Sequence, residues 1–465
     1  MPSDKLNVVH AIGGRTPFSQ LSKRITESLT KDEKKNGGIF FTPPSCIQQI
    51  MSLLRGVSLS TQHSFETILE PSCGSGEFLS ALMREYPSAW ITGVEIHPVI
   101  YEEVSTHFNS LVGGGRVSIQ HSDFLKYSIA SSSAGVGPDL IIGNPPYFVM
   151  KKEEVAAEYY PFFDGRPNIF IMFIIKSAQL LRAGGVLCFV LPSSFMNSQY
   201  YDKMRKYIVR HFEILHIVKC GDGGGGDGGG YLDTQQDTII LILRKSGVDS
   251  DSLVCASGAG VFEKSGVDSL VCASGAGVFE KSGATIFTDN LPRLTSLYTG
   301  SQSLHELGFK VSVGTVVWNQ CKGILTNDAT KPRLVYSSNI QNGKFVHKTY
   351  KNVDKKAFID KPGIRTPMIV LNRGYGVGEY QFDYCLLTPD AVSTSSSAGY
   401  LIENHLICIT HNSSSGATDT PSLAAFHRVI KSFQDPRTQE FISCYFGNNA
   451  VNTTELNHML PIYGT

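Results

Sequence analysis

The sequence predicts an α/β fold, in which a mostly parallel sheet covered by helices is followed by a C-terminal α+β domain. Three observations support this. From about residue 38 to 244, short β-branched apolar runs alternate with longer amphipathic segments, which is typical of a parallel sheet with crossover helices. Several of these runs end in glycine-rich or polar motifs, where such sheets bind ligands. From about residue 284 onward, short strand-like runs and turns predominate, with helical patterns near residues 424–433 and 439–445.

Seven runs have the composition of strands. Helical patterns fill most of the gaps between the early runs, which favours parallel pairing. The last two runs are joined by a glycine-rich stretch at residues 221–230 and a few polar residues, so we expect them to pair as an antiparallel hairpin. The glycine stretch lacks the features of a phosphate-binding or calcium-binding loop, and we interpret it as a flexible loop. The predicted strands are residues 67–70, 90–94, 117–121, 140–143, 186–191, 214–219 and 238–243.

Composition limits the class of protein. The chain has 465 residues, of which 42% are hydrophobic, 10% aromatic and 18% charged, as in globular proteins of two or three domains. Its 41 basic and 41 acidic residues cancel, so binding to a polyanion would depend on local charge. No apolar run approaches the roughly 18 residues of a membrane span, and no signal peptide is evident, so we expect a cytoplasmic protein. The 10 cysteines are scattered, and we expect neither a disulfide nor a structural metal.

The most specific chemical signal is an apolar strand that ends in Asn144, Pro145, Pro146 and Tyr147. Consecutive prolines end the sheet ladder and stiffen the following loop. In such a loop the Asn144 side-chain oxygen and the Pro145 carbonyl can accept hydrogen bonds at one point, while Tyr147 offers a flat face beside them. Two acceptors and a stacking surface suit a planar ring with an amino group. The alternative is a plain turn at the end of a strand.

Two earlier strand ends carry groups that suit a nucleoside cofactor. The first strand ends at Glu70 and leads into a turn with Gly74 and Gly76, where backbone can approach a ligand closely. Glu95 follows the second strand, about 20 residues later, at the position from which a carboxylate can bind ribose hydroxyls. By itself the glycine turn is a weak signal.

The third strand is followed by Asp123 and Phe124. Asp123 can accept a hydrogen bond from an adenine amino group, and Phe124 can lie against the ring. Each residue also has a structural alternative, with Glu95 and Asp123 as helix caps and Phe124 in the core. Compatible groups at four successive strand ends favour the functional interpretation.

Together these motifs make the chain resemble an S-adenosylmethionine-dependent N6-adenine DNA methyltransferase of the TaqI/Eco57I-like type. The resemblance extends from Gly38 to the C-terminus, with the cofactor motifs first and the target-recognition domain last. It implies a Rossmann-like class I methyltransferase sheet, S-adenosyl-L-methionine as cofactor, no metal, and double-stranded DNA as partner. It also implies a monomer in a prokaryotic cell or in the host cell of a large DNA virus, with a cognate restriction endonuclease as a functional partner.

The resemblance implies a role for each motif residue. In the catalytic set Asn144, Pro145, Pro146 and Tyr147, the first two accept hydrogen bonds from the target N6 amino group and Tyr147 stacks on the base. Tyr231 takes the position of a family aromatic residue, usually phenylalanine, that contacts the flipped adenine from the other side. The implied cofactor-binding residues are Thr42 and Pro43 near the methionine moiety, Glu70, Gly74 and Gly76 beside methionine and ribose, Glu95 at the ribose, and Asp123 with Phe124 at the adenine.

The chain also contains an internal duplication. Residues 245–263 and 264–280 are nearly identical, and each copy has a strand, a turn and a second strand, which predicts one small hairpin per copy. We interpret the repeat as a tandem insertion. The predicted domains are an N-terminal extension at 1–37, a catalytic domain at 38–244, the duplicated hairpin insertion at 245–283 and a DNA target-recognition domain at 284–465.

Local charge in the C-terminal domain fits a polyanionic partner. Residues 301–390 contain 12 Lys and Arg against 7 Asp and Glu, which is consistent with phosphate contacts. Segments 318–322 and 372–376 hold groups suited to base edges or phosphates. Segments 404–409 and 446–462 most resemble the recognition domains of the family. A solvated positive face would give the same charge pattern.

Two other interpretations remain open from the sequence. The Asn-Pro-Pro-Tyr loop also resembles that of protein glutamine methyltransferases and RNA N6-adenine methyltransferases, but those families resemble only the sheet domain. The second alternative is a DNA-binding specificity subunit, inactivated by the glycine stretch and the duplication. The intact set of motif residues argues against such decay.

Overall fold

The computed structural model describes most of the chain beyond residue 17. The glycine stretch at 221–230, Tyr231 and the first copy of the duplication beyond residue 247 lie outside the described residues. The described residues are 18–62, 64–111, 115–129, 137–220, 237–247, 269–271, 275–373, 383–392, 398–411, 423–446 and 451–464.

The described part of the N-terminal half consists of helices that alternate with strands. Its helices are α1 (Gln20–Ser28), α2 (Lys31–Gly37), α3 (Pro44–Thr61), α4 (Glu77–Glu85), α5 (Pro98–Leu111), α6 (Ile169–Leu180) and α7 (Asp202–His211). Its strands are β1 (Thr67–Glu70), β2 (Trp90–Glu95), β3 (Val117–His121), β4 (Leu140–Gly143), β5 (Val186–Pro192), β6 (Phe212–Lys219) and β7 (Thr238–Lys245).

These seven strands form one sheet in the order β3-β2-β1-β4-β5-β7-β6. The first five strands are parallel, and β7 runs antiparallel to both β5 and β6. The predicted α/β fold and the antiparallel pairing of the last two strands are therefore confirmed. Because β1 to β4 are parallel, their carboxyl ends share one edge, and the predicted motifs follow them there.

Helices pack on both faces of this sheet. Successive residues of β5 face opposite layers, with Phe189 in the layer of α6 and Cys188 in the layer of α3. Along α3, buried apolar residues recur at helical spacing, as the amphipathic pattern predicts. Each large apolar side chain buried in these layers contributes about 1.5–3 kcal/mol relative to exposure. The two layers hold the sheet edge, and hence the motif loops, in place.

The second copy of the duplication contributes two strands. β8 (Ser269–Val271), β9 (Gly277–Lys281) and β10 (Ala284–Thr288) form an antiparallel sheet with β9 in the centre. Since β8 and β9 both belong to the second copy, the hairpin expected for that copy is confirmed. In β9 the buried Phe279 ring stacks on Tyr298, with ring centroids 4.7 Å apart.

The expectation that no disulfide forms is wrong for one pair. Cys46, near the start of α3, is bonded to Cys220, the residue after β6, with Cα atoms 5.5 Å apart. The two cysteines are 174 residues apart in the chain, so only the packing of α3 against the sheet brings them together. Composition and spacing carry no information about such a contact. The cysteines described as free are Cys73, Cys188, Cys321, Cys385, Cys408 and Cys444.

The C-terminal half is an α+β region, as predicted. Two four-stranded sheets dominate its described part. The predicted helical patterns correspond to α10 (Leu423–Phe433) and α11 (Pro436–Tyr445). The helices are α8 (Leu291–Tyr298), α9 (Pro389–Val392), α10 (Leu423–Phe433), α11 (Pro436–Tyr445) and α12 (Thr453–His458). The strands are β11 (Ser301–Gln302), β12 (Phe309–Val313), β13 (Leu325–Thr326), β14 (Arg333–Val335), β15 (Ile340–Gln341), β16 (Lys344–Phe345), β17 (Phe358–Ile359), β18 (Met368–Asn372), β19 (Tyr384–Leu387), β20 (Tyr400–Ile402), β21 (Leu406–His411) and β22 (Ile462–Tyr463). The two four-stranded sheets have the orders β12-β21-β18-β19 and β13-β17-β14-β20.

A buried arginine joins the loop after β5 to β10. Arg205 on α7 donates hydrogen bonds to the main-chain oxygens of Phe195, Ser198 and Thr285. Asp202 accepts a hydrogen bond from the Thr285 N–H at 2.7 Å. Burial lowers the pKa of Arg205 to about 10, and the charge of Asp202 opposes that shift. The guanidinium thus stays charged at neutral pH and donates to three main-chain carbonyl groups where these elements meet.

Candidate active site

A cavity of about 290 Å³ opens at the carboxyl ends of β1 to β4, beside the segment that follows α2. Its volume is close to the roughly 300 Å³ at which small-ligand pockets begin. The structure brings together predicted site residues from five separate parts of the sequence at this edge. The predicted site residues that line the cavity are Thr42, Glu70, Gly74, Glu95, Asp123, Phe124, Asn144 and Pro146.

The glycines of the turn after β1 serve different purposes. Gly74 has φ +49°, and a β-carbon there would lie 3.2 Å from the Phe41 ring. Gly76 has φ +77°, and a β-carbon there would collide with the Phe108 ring of α5. Gly74 therefore keeps the cavity open, whereas Gly76 is required by the packing of the turn against α5.

Glu95 ties the glycine turn to the end of β2. Its Oε2 accepts a hydrogen bond from the Gly74 N–H at 2.9 Å, and its Oε1 accepts one from the His97 N–H at 2.8 Å. Burial raises the pKa of the Glu95 carboxyl, and these backbone donors oppose the shift. Each carboxylate oxygen has a further lone pair. Glu95 can therefore hold the turn and accept hydrogen bonds from a ligand in the cavity.

Glu70 is the second buried carboxyl group of the cavity, with 1% of its surface exposed. Within the described part of the chain, its Oε2 has no hydrogen-bond partner. Burial raises the pKa of Glu70 well above its usual range, and the nearby Glu95 raises it further. Two acidic groups and one unsatisfied buried oxygen favour a cationic ligand, which would supply both a donor and a compensating charge.

Asp123 and Phe124 have both structural and cavity roles. Asp123 Oδ1 accepts a hydrogen bond from the Leu125 N–H at 3.0 Å and so caps the short 3-10 helix at 124–126. The buried Phe124 ring packs on Phe173, with centroids 4.9 Å apart. Both residues also line the cavity. At this strand end, a residue can therefore cap a helix or pack in the core and still line the cavity.

The main chain of Phe40 orients the side chain of Asn144. The Asn144 Nδ2 donates a hydrogen bond to the Phe40 carbonyl at 3.1 Å, which leaves Oδ1 as the acceptor end of the amide. The Tyr147 hydroxyl contacts this Oδ1 and the Val190 carbonyl, the latter at 2.7 Å. Because an amide oxygen has two lone pairs, the contact with Tyr147 leaves one for another donor.

Some predicted site residues do not line the cavity. Pro43 is the N-cap residue of α3, and Gly76 is the N-cap residue of α4. Pro145 is buried within the loop after β4, and Tyr147 is half-buried with its hydroxyl in the contacts just described. Tyr231 lies outside the described residues, so its stacking role stays a prediction.

Aromatic cavity residues were missed by the sequence reasoning. Phe41, Phe148 and Phe173 all line the cavity. Phe41 lies inside the motif around Thr42, and Phe148 directly follows the catalytic loop, so their positions beside motifs were a usable signal. Phe173 belongs to the uniformly apolar α6, where no sequence feature separates a cavity wall from core.

The described residues contain neither a metal-binding cluster nor a membrane-spanning helix. Among them, no group of three or more His, Cys, Asp or Glu side chains is placed to hold a metal ion. None of the described helices combines the length and apolar character needed to cross a membrane.

Known proteins resemble the chain over different lengths. Residues 104–224 match the family model described as Eco57I restriction-modification methylase. Modification methylase CviBIII of Paramecium bursaria Chlorella virus NC1A is 33% identical over 242 residues, which cover 49% of this chain and 55% of that protein. Type II methyltransferase M.CvrRI of Paramecium bursaria Chlorella virus XZ-6E is 25% identical over 461 residues, which cover 96% of this chain and 99% of that protein.

A solved structure, that of the type IIG restriction endonuclease BpuSI, aligns with 96% of this chain and 61% of its own, at 12% identity and a TM-score of 0.43. The family match and the two viral relatives confirm the resemblance to restriction-modification methyltransferases that the motifs indicated.

Proposed function

We propose that this chain is a site-specific DNA methyltransferase that transfers a methyl group from S-adenosyl-L-methionine to the N6 amino group of an adenine flipped out of double-stranded DNA. It would act as the modification enzyme of a restriction-modification system. The observation that carries this proposal is the Asn144 amide, which Phe40 orients so that its oxygen is the acceptor end at a cavity with two buried carboxyl groups.

The cavity residues fit S-adenosylmethionine, which supplies an electrophilic methyl group on a sulfonium centre when bound. Glu70, with its unsatisfied oxygen, would hold the ammonium group of the methionine moiety. Glu95 would accept hydrogen bonds from the ribose hydroxyls. Asp123 would accept one from the adenine amino group, with Phe124 against the ring. Thr42 and Gly74 line the cavity and complete the proposed binding set, and Pro43 and Gly76 would support it from the N-cap positions of α3 and α4.

The protein contributes acceptors and alignment to the transfer step. The amino nitrogen of adenine is a poor nucleophile because its lone pair is delocalised into the ring. Acceptors at Asn144 Oδ1 and at the Pro145 carbonyl would bind the two N6 hydrogens and direct the lone pair at the methyl carbon. The contact between Phe40 and Asn144 keeps the amide from rotating its donor end toward the base. The nitrogen–carbon bond would form as the sulfur–methyl bond breaks, so that S-adenosylhomocysteine would leave as a neutral thioether. The methylated nitrogen would then release one proton to solvent, so this arrangement needs no strong acid or base.

Two tyrosines are the proposed stacking partners of the flipped adenine. The Tyr147 ring is held edge-on by Phe170, with centroids 6.1 Å apart, so it offers a pre-ordered surface. Tyr231 is proposed from its position in the sequence alone. Stacking contributes about 1–3 kcal/mol per base, and base flipping costs a few kcal/mol, so two aromatic faces can offset that cost.

The proposal is tested by incubating the purified protein with unmethylated genomic DNA and S-adenosylmethionine labelled with tritium in the methyl group. Digestion of the DNA to nucleosides and mass spectrometry should identify N6-methyladenine. Methylated cytosine would contradict the assignment of the target base. Parallel reactions with mixed RNA and with glutamine-containing peptides test the other substrates, and label found only there would contradict a DNA substrate.

Cofactor binding separates an enzyme from an inactive specificity subunit. Calorimetric titration should show that the protein binds S-adenosylmethionine, and the same preparation should transfer label to DNA. DNA binding without either property would favour the specificity subunit. A cognate nuclease and the monomeric state also stay predictions, and light scattering in solution checks the second.

A further inference from the structure

Three loops of the C-terminal half, far apart in the sequence, meet beside the sheet that contains β18 and β21. The Asn404 N–H donates a hydrogen bond to the Val316 carbonyl at 2.9 Å. The Arg373 N–H donates one to the His405 carbonyl at 3.4 Å. Two of these loops overlap segments 318–322 and 372–376, which hold groups suited to base edges or phosphates, and the third overlaps segment 404–409, which resembles the recognition domains of the family. We call this surface the recognition edge, and it comprises residues 316–320, 372–373 and 403–405.

At this edge a buried carboxylate holds an exposed imidazole. The side chain of Glu403 is 2% exposed, whereas that of His405 is 48% exposed. Glu403 Oε2 accepts a hydrogen bond from the His405 main-chain N–H at 3.0 Å, and Oε1 pairs with the ring Nδ1. Burying a carboxylate is costly unless it is well paired. Here the partner of the buried carboxylate is the half-exposed ring of His405, which adds little to the packing of the core. The arrangement fixes the orientation of an exposed ring.

Two lysines lie near the ring of Trp318, which belongs to the recognition edge. The Nζ of Lys355 lies 4.1 Å from the ring centroid of Tyr336, 5.0 Å from that of Tyr350 and 5.7 Å from that of Trp318. The Nζ of Lys322 lies 5.9 Å from the Trp318 centroid. Lysines held over rings, beside a partly exposed tryptophan, suit the phosphates and sugars that flank a base contact.

The recognition edge lies near the catalytic half of the chain. The Arg373 carbonyl accepts a hydrogen bond from the Val451 N–H at 2.9 Å. Four residues further on, Glu455 Oε1 accepts one from the Gln199 N–H at 3.0 Å, in the loop after β5. The segment from Val451 to Glu455 spans at most about 14 Å. This distance corresponds to the length of about four base pairs of DNA, at 3.4 Å each. Strand β5 neighbours β4, whose end carries Asn144.

We propose that the recognition edge reads the target sequence in double-stranded DNA, with the imidazole of His405 in contact with the edge of one base pair. This inference rests on the proposed function, since it takes the substrate to be DNA. Arg373 lies beside His405 and is a second candidate for contact with a base, because guanidinium and imidazole groups match acceptors in the major groove. Glu403 is a positioning residue that acts through His405.

Methylation maps test the proposal. Wild-type protein and the variants His405→Ala and Glu403→Gln are produced in a bacterial host that lacks its own adenine methylation. Sequencing that detects modified bases then gives each consensus. His405→Ala should extend methylation to sites that differ from the wild-type consensus at one base pair. With purified proteins, the ratio of kcat/KM for the cognate duplex to that for the altered duplex should fall by about 5- to 150-fold. Glu403→Gln should relax the same position.

His427→Ala is the matched control, because His427 is also an exposed histidine of this half but lies on α10, outside the recognition edge. It should keep the wild-type consensus. Because His405→Ala removes one partner of the buried Glu403 carboxylate, all assays are run below the melting temperature of this variant, where it is folded like the wild type. An unchanged consensus in His405→Ala would overturn the proposal, as would an equal loss of activity on all sequences, which marks a phosphate contact. Failure of the wild type to methylate any DNA would instead overturn the proposed function.

Discussion

Gly38 lies directly against the catalytic loop, so that a β-carbon on residue 38 would come within 3.0 Å of the main-chain nitrogen of Tyr147. The same β-carbon would lie 3.2 Å from Cβ of Pro146. Gly38 has a left-handed conformation, with φ +60°, and its N–H ends α2 by donating to the Lys34 carbonyl. The residue that ends α2 therefore also supports the loop proposed to hold the target base.

Gly38→Ala should reduce methyl transfer much more than it reduces stability. The left-handed conformation costs a residue with a side chain about 1–2 kcal/mol, whereas a loop displaced by about 1 Å can lose about 10²-fold in rate. The measurement is kcat at saturating substrates beside the melting temperature. Gly56→Ala on α3 is the matched control, because a β-carbon there has no neighbour within 4 Å. Equal activity in the two variants would refute the role assigned to Gly38.

Asn144→Ala should lower the rate of methyl transfer by about 10² to 10³, by analogy with the removal of one oriented hydrogen-bonding group from an active site. Affinity for S-adenosylmethionine should stay near that of the wild type, because the proposed contact of Asn144 is with the target base. Single-turnover assays measure the first quantity and calorimetry the second. Wild-type turnover in this variant would show that the acceptor lies elsewhere.

Ser22→Ala should weaken cofactor binding without changing the transfer step. Ser22 on α1 is fully buried, and its hydroxyl contacts the Ser75 hydroxyl at 2.7 Å and the Glu77 carboxylate. These bonds anchor α1 to the glycine turn, and a lost hydrogen bond costs about 0.5–1.5 kcal/mol. The dissociation constant for S-adenosylmethionine should rise by about 2- to 13-fold, with kcat unchanged. Ser28→Ala is the control, because within the described part of the chain that hydroxyl bonds to its own helix, at the Ile25 carbonyl.

Glu70→Gln should change the pH dependence of stability. Burial raises the pKa of Glu70 well above its ordinary value of 4.5, so the folded state binds this proton more tightly than the unfolded state. The contribution of Glu70 to the free energy of unfolding therefore falls as pH rises from 4.5 through the raised pKa. Glutamine cannot ionise, so the variant should lack this fall.

The comparison uses urea unfolding of the cofactor-free proteins across pH. The difference in unfolding free energy between Glu70→Gln and the wild type should be small at about pH 4. As pH rises above that value, the difference should increasingly favour Glu70→Gln. Affinity for S-adenosylmethionine should be weaker in Glu70→Gln than in the wild type, because the variant loses the negative charge proposed to face the ammonium group. If the curves of unfolding free energy against pH run parallel for the two proteins, burial does not raise the pKa of Glu70.

Deletion of residues 264–280 should leave the protein stable and active. The deletion joins Glu263 to Lys281, so the nearly identical first copy then supplies the strands that pair with β10. Loop length itself has little effect on stability, since closure entropy grows only logarithmically. Thermal unfolding and methyl-transfer assays check both properties.

Phe279→Ala is the contrasting variant. The ring is buried and stacks on Tyr298, so its loss should destabilise the protein by about 3–5 kcal/mol. A deletion variant as unstable as this one would mean that the first copy cannot replace the second.

Much of the fold was predictable because its signals are local. Strands such as Leu140–Gly143 have β-branched and apolar composition, helices between them have their own periodicity, and both patterns depend on neighbouring residues only. The motif at Asn144 was also predictable, because consecutive prolines after a buried strand restrict the backbone locally. The parallel order of the first strands then placed Glu70, Glu95 and Asp123 at one edge.

The sequence by itself thus determined the α/β class, the strand positions and the residue types at each strand end, since these depend on neighbours along the chain. Tertiary structure alone decided how those groups are oriented. Phe40 and Asn144 are 104 residues apart, Cys46 and Cys220 are 174 apart, and the loops with Arg373 and His405 meet only through the sheet. Contacts of this kind depend on how whole elements pack, and no local pattern specifies which carbonyl will face a given amide.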